Sequence, residues 1–411
     1  MTVTHIFCKS AIGISMFALQ GVTVSADEVP IASDLETAIQ ATKPIFNARL
    51  RYEGVEQDGI AETADALTYR LRVGFETGAV ANTKFLIDFD HVEDVIADFN
   101  STLNGKGNFP VIADPNVTEL NRLQLTNTSL DDTRITLGRQ RIILDDARFI
   151  GNVGWRQNEQ TFDALRVQNT SFGELAIDAS YISKVNRIFG DNSPSGTWDG
   201  DNVIINVSHP TPFGKITGFT YLLDIEDGGG VFSSQTLGAR INGGMSLGEG
   251  QLSYVLSYAQ QDDYGDSPFD YGANYVLAEG VYAQNGLSAG LGLEVLGGDT
   301  QRAFQTPLAT LHKFQGWSDK FLATPLSGVE DLYVKAGYAP GGVGPFKGTK
   351  LLATYHDFSG ETNGADLGSE INFLASAKYK KLGFTLKYAD YQAETLARDT
   401  QKVWFQVEYG F

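Results

Sequence analysis

Leu67-Thr68-Tyr69-Arg70-Leu71-Arg72-Val73-Gly74-Phe75-Glu76 alternates without a break. Leu67, Tyr69, Leu71, Val73 and Phe75 fall on one side, and Thr68, Arg70, Arg72, Gly74 and Glu76 on the other. That is the period of a β-strand whose two faces meet different surroundings. The same grammar runs through Phe46, Ala48, Leu50 and Tyr52 against Asn47, Arg49, Arg51 and Glu53, and recurs over 287–295 and 371–379. Segments of roughly ten residues are what a tilted strand needs to cross a bilayer, whereas strands of a soluble sandwich stay nearer five or six. Tyr or Phe near the segment ends fits aromatic girdles at both membrane interfaces. After the first 26 residues no run of 18 apolar residues exists, so helices are excluded as the means of crossing.

Eighteen such strands are expected between 45–53 and 401–411, and the links between them alternate in length. Tight links such as 78–81, 130–131, 170–172 and 380–381 alternate with long ones at 92–118, 142–160, 184–200 and 297–328. Short periplasmic turns and long outer loops are the asymmetry of a bacterial outer-membrane barrel. The fold class is therefore all-β: a transmembrane antiparallel up-and-down β-barrel of about 18 strands, spanning 44–411, with no linker or repeat dividing it.

Both termini add to this reading. At the start, Met1 to Lys9, an apolar run from Ala11 to Leu19 and the small residues Val24-Ser25-Ala26 have the layout of a signal peptide, expected to be cleaved after Ala26. A short periplasmic segment, 27–43, follows. At the end, Val403, Phe405, Val407 and Tyr409 alternate up to Phe411; Tyr409 and Phe411 resemble the C-terminal signature read by the barrel-assembly machinery. Outer-membrane lipid and lipopolysaccharide are the expected surroundings.

Charge and side-chain chemistry narrow the function. With 31 Lys plus Arg against 50 Asp plus Glu, a net charge of −19 argues against a nucleic-acid partner. His91, His209, His312 and His356 are too scattered for a metal motif, and no Ser, His and Asp spacing suggests a hydrolase. No enzyme activity and no cofactor are expected. A barrel of 16 to 18 strands leaves an aqueous channel, so transport is the default.

Eleven of the fifteen arginines lie between 44 and 170. On the strand phase, Arg49, Arg51, Arg70, Arg72, Arg122, Arg134 and Arg166 point inward with Lys84, a basic wall suited to carboxylates or phosphates. Arg139 would face lipid by strict alternation, and a bulge at Gly138 would turn Arg139 and Arg141 into the mouth. Inward acids, among them Glu53, Glu76, Asp88, Asp90, Asp178, Glu279, Glu294 and Glu370, offer a competing reading in which the wall is charge-balanced.

Leu137-Gly138-Arg139-Gln140-Arg141, then Asp145, Arg148, Trp155-Arg156-Gln157 and Thr161-Phe162-Asp163-Ala164-Leu165-Arg166, resemble the alginate-export family of outer-membrane barrels. So do Thr306-Pro307-Leu308-Ala309-Thr310-Leu311-His312-Lys313-Phe314, Gly316-Trp317 and Asp319-Lys320-Phe321. The resemblance implies a monomeric eighteen-stranded conduit for an anionic uronate polymer, narrowed by inward loops. It makes Arg139, Arg148, Arg156, Asp163 and Arg166 candidates for the constriction. The longest link, 297–328, holds Phe304, Leu308, Phe314 and Trp317 beside His312 and Lys313, too many large apolar groups for a solvated loop. It is expected to fold against the inner wall or cap the mouth. The function expected is passive diffusion of anionic saccharides or other small anions; the alternative is a weakly selective general porin. A barrel enzyme or adhesin is a third, less favoured class.

Overall fold

The computed structural model describes residues 31–32 and 35–410; the expected signal peptide and Phe411 lie outside the described residues. Eighteen long strands form the wall. The first nine are β1 (Lys43–Gln57), β2 (Ala64–Glu76), β3 (Thr83–Asp98), β4 (Val117–Asn127), β5 (Thr133–Gln140), β6 (Thr161–Asn169), β7 (Ala176–Asn186), β8 (Thr197–Thr211) and β9 (Gly214–Leu223). The others are β10 (Ser234–Leu247), β11 (Gly250–Asp262), β12 (Gly272–Gln284), β13 (Leu287–Leu296), β14 (Val329–Val343), β15 (Phe346–Ser359), β16 (Asp366–Tyr379), β17 (Leu382–Gln392) and β18 (Thr400–Gly410).

Each strand pairs antiparallel with its neighbours in sequence, and β18 returns to β1 with Arg49 opposite Glu408 and Gln57 opposite Thr400. Closure leaves no strand edge unpaired, which is what the hydrocarbon layer demands of a spanning sheet. The eighteen expected strands are thus all present, several longer than the alternation alone suggested. The length pattern of the links also holds. Two-residue turns such as Asn285-Gly286, with φ of 51° and 82°, sit at one end, where that pair supplies the left-handed conformations a tight hairpin requires. The helix α1 (Leu35–Gln40) lies at the same end, bonded through the Ala38 carbonyl to Gly78, while Ile31–Ala32 runs parallel to Ala79–Val80.

Exposure is inverted relative to a soluble protein. On β2, Leu71 and Val73 are 36% and 47% exposed, while Arg70 and Arg72 between and beside them are 3% and 7% exposed. Leu50, Phe89, Leu125, Leu165, Leu291 and Phe405 continue the outward apolar belt around the barrel. The polar row is buried because the lumen is filled. Behind it lies a large apolar cluster, absent from the expectation of a uniformly polar interior: Phe219, Tyr221 and Leu223 of β9, Val255 of β11 and Tyr275 of β12 pack against Ile142, Ile150, Phe304, Leu308 and Phe321 from the links.

Candidate functional site: a neck closed by two inward loops

Two links enter the barrel, 141–160 between β5 and β6 and 297–328 between β13 and β14. They bond to each other through backbone groups. Gly151 donates to the Leu308 carbonyl (2.8 Å) and Thr310 to the Ala147 carbonyl (3.0 Å), and the Gln160 amide reaches both Gly151 and Leu308. One side of this double loop is apolar. Phe149 sits 5.1 Å from both Phe219 and Tyr275 and 6.1 Å from Phe304, ring centre to ring centre, so the loops are anchored on β9 and β12 as a core would be.

The other side meets the basic wall. Arg49 donates to the carbonyls of Gly154, Trp155 and Arg156, Arg51 to that of Trp155, and Arg70 to that of Gln157. Arg51 also stacks its guanidinium 4.1 Å from the Trp155 ring. Gln157 returns two bonds to Thr68. Arg156 reaches Glu53 at 3.1 Å and Asp319 at 3.4 Å. Three of the expected pore arginines therefore hold the loop 141–160 in place across the lumen, a role the alternation could not reveal.

At the meeting point stands Lys387 of β17. Its ammonium lies 3.9 Å from the ring centres of Trp155 and Trp317 and 5.0 Å from that of Trp404, a cation caged by aromatic faces. It donates to His312 Nε2 at 2.6 Å, while His312 Nδ1 faces Asp319 at 2.8 Å. These partners assign the tautomer: Nδ1 carries the proton and donates to the carboxylate, and Nε2 accepts. Burial holds the His312 imidazole well below its usual range against the pull of Asp319, in keeping with a neutral ring. At Asp319 burial alone would raise the carboxyl, but His312, Lys402 and Arg156 hold it well below the usual carboxylate range. Trp317 and Ser318 donate their backbone N–H groups to Glu370 of β16, and Gly316 between the loop and that carboxylate has φ of 78° with no room for a Cβ.

The remaining candidates divide by partner. Arg72 bonds Asp90 and lies 2.8 Å from Glu159, which Arg141 also holds. Arg122 pairs with Asp88, Arg166 with Asp178 and Lys84 with Glu76. Arg148 is fully buried and donates to Glu294 (2.6 Å), Thr306 (3.0 Å) and Gln315 (3.2 Å) with its guanidinium 4.7 Å from the Phe314 ring. Lys313 donates to the Asp146 carbonyl. Arg134 is exposed on the inward phase opposite Gln168 and makes no ion pair among the described residues. Tyr409 packs edge-on against Phe46 across the β1–β18 seam.

One placement differs from expectation. Gly138 has φ of 110°, yet the ladder on both sides of it keeps its register, so no bulge turns the chain. Arg139 and Asp163 face each other on the side shared by Leu137 and Leu165, which are exposed, and bond each other there at 2.8 Å instead of joining the constriction. Sequence reasoning also missed Lys387, Lys402, Trp404, Gln406 and Glu408. The signal was present: Lys402, Trp404, Gln406 and Glu408 are the row between Val403, Phe405, Val407 and Tyr409, and closure sets them beside β1.

No family model and no curated protein matches the sequence. Solved structures do. Pseudomonas aeruginosa OpdO superposes with a TM-score of 0.68 at 13% identity, over 92% of this chain and 98% of that one. Pseudomonas aeruginosa OpdK, in its structure with vanillate, gives 0.69 at 15% identity over 90% and 98%. Acinetobacter baumannii OccAB4 gives 0.66 at 14% identity over 90% and 98%. At such identities the likeness is one of fold. The closed eighteen-stranded barrel with its outward apolar belt is an outer-membrane porin architecture and sits in the bacterial outer membrane.

Proposed function

We propose that the chain is a passive channel for small organic anions, carboxylates above all, whose selectivity is set in the neck between the two inward loops and the β17–β18–β1–β2 wall. One observation carries this reading: Arg49, Arg70 and Lys387 have a single carboxylate within 4 Å among them, counted over the described residues. Arg49 and Arg70 lie opposite each other and share the single carboxylate of Glu408, at 3.2 and 3.6 Å, and Lys387 has no carboxylate within 4 Å among the described residues. In a site largely shielded from water such an excess acts over a longer range than it would in bulk solvent. A carboxylate ligand in the similar OpdK structure, vanillate, agrees with this class of cargo. Loops joined backbone to backbone across the lumen favour a small solute over a uronate polymer, the cargo implied by the alginate-export resemblance. Lipopolysaccharide, the barrel-assembly machinery and a monomeric state belong to this reading as partners and form.

A second reading, a weakly selective porin, is favoured by the one-to-one pairs Arg122–Asp88, Arg166–Asp178 and Arg148–Glu294. Reversal potentials in planar bilayers under a KCl gradient separate the two. Anion selectivity is expected for the unaltered chain; equal permeability of both ions would favour the balanced porin. Arg70→Gln should lower the selectivity, and Arg72→Gln should lower it further. The second change leaves Asp90 and Glu159 with one guanidinium fewer and so turns a balanced patch negative. A variant series in which neither change moves the reversal potential would remove the neck from selectivity.

A further inference from the structure

We propose that the long-loop mouth carries a capture site for the carboxylate group of an organic anion, built on two ring-clamped arginines, Arg187 and Arg302. The proposal deepens the channel reading above and rests on it for the solute class.

The Arg187 guanidinium lies over two rings, 3.7 Å from the centre of Trp198 and 4.8 Å from that of Phe189. That of Arg302 also lies over two, 5.7 Å from the centre of Phe232 and 5.3 Å from that of Phe269. Trp198 and Phe232 stand 4.6 Å apart, so both clamps join into one continuous stack. The six residues come from five neighbouring segments: the link after β7, the start of β8, the links after β9 and β11, and the link 297–328. Trp198 is buried at 6% exposure, and both arginines are half-buried.

The partners of these guanidiniums are unusual. A part-buried arginine ordinarily pairs with a carboxylate, as Arg122, Arg141 and Arg166 do here. Among the described residues the Arg187 guanidinium makes a single hydrogen bond, to the Ser195 carbonyl, that of Arg302 makes none, and neither has a carboxylate within 4 Å. Burial lowers the pKa of Arg187 to about 10, which leaves it charged at neutral pH, and burial also lowers that of Arg302. Rings cover the faces of a guanidinium and leave its N–H edges free, and those edges form the donor fork that matches a carboxylate. The rings also fix the plane of each fork in advance, which lowers the ordering cost of binding.

The same loops carry Asp191, Asp227, Asp263 and Asp266, so anions are not collected here by long-range attraction. Capture works at contact distance, and polyanions are disfavoured. From Arg302 the chain runs directly to Phe304, Leu308 and His312, so one loop carries both the capture site and the neck.

The test is block of KCl current through the full chain in a planar bilayer, with benzoate, glucuronate or uncharged glucose added on the long-loop side. The unaltered chain should show concentration-dependent block by both anions and none by glucose. Arg187→Gln/Arg302→Gln should weaken the block roughly tenfold, the loss of a charged hydrogen-bonding pair of donors, with KCl conductance unchanged. Arg302→Gln alone breaks no hydrogen bond and serves if the double variant assembles poorly; it should weaken the block severalfold. Equal block of variant and unaltered chain, equal block by glucose, or no block at all would overturn the proposal. Loss of block in the variants alongside a reversal potential near zero would sink the neck reading and leave capture standing. Anion selectivity with block unaffected by the variants would do the reverse.

Discussion

Removal of 306–321 raises the single-channel conductance severalfold over that of the full chain. This stretch supplies most of what crosses the lumen from one loop: Leu308 and Thr310, which bond the other loop, His312 and Trp317 at Lys387, Gln315 at Arg148, and Asp319 at Arg156 and Lys402. The wall does not depend on it. Leu296 and Val329, the strand ends that the loop connects, are already paired across the β13–β14 ladder, and a shorter link spans the same gap at a small entropic saving. With the stretch gone, 141–160 keeps its bonds to Arg49, Arg51 and Arg70 but loses the Leu308 carbonyl and the Thr310 N–H as backbone partners, so the bore widens from one side. The gain is to be measured in bilayers on protein whose heat-dependent gel migration shows an intact barrel. A conductance equal to that of the full chain would mean that the narrowest point lies elsewhere.

The wall was legible in sequence to a degree that the filling was not, and the reason is physical. Lipid on one side and polar groups on the other impose a period of two, and Leu71 between Arg70 and Arg72 reads the same in sequence and structure. Closure was legible too, since an even strand count with both ends at the turn side requires β18 to meet β1. Where the neighbour inside is another apolar loop, the period fails. Ile204 of β8 and Phe219 and Tyr221 of β9 face inward and are buried at 0%, 4% and 3% exposure, against Phe149, Phe304 and Leu308. Apolar residues on both faces of β8 and β9 were the available sign that something greasy enters the lumen there. The density of Phe, Leu and Trp in 297–328 was its counterpart, and Phe304, Leu308 and Phe321 from that link lie in the buried apolar cluster. Which carbonyls Arg49 and Arg51 would find, or that Lys387 would meet Trp155, depends on contacts more than 100 residues apart in sequence, which no local pattern encodes.

Arg148→Met detaches both loops from β12 and β13. The guanidinium has no exposure and is held by Glu294, Thr306 and Gln315, so it joins the tip of 141–160 to the wall and to 297–328 at once. Met fills much of the same volume, but Glu294 is left buried with only the Tyr275 hydroxyl and the Gln315 amide as donors. Breaking a buried pair from one side costs roughly 3–5 kcal/mol, more than the loop contacts remaining on that side readily supply. Open-channel noise should therefore rise, and trypsin should cut the loops, at Lys313 or Lys320, in barrels whose strands remain protected. Arg148→Met with Glu294→Leu provides the internal control. Once both charges are gone, nothing ionised is stranded among Phe149, Tyr275 and Phe304, and much of the loop order should return. If the single variant is as quiet and as protease-resistant as the unaltered chain, the pair does not hold the loops. If single and double variants are equally loose, shape at Arg148 and not charge is what matters, because the two differ chiefly in the fate of one carboxylate.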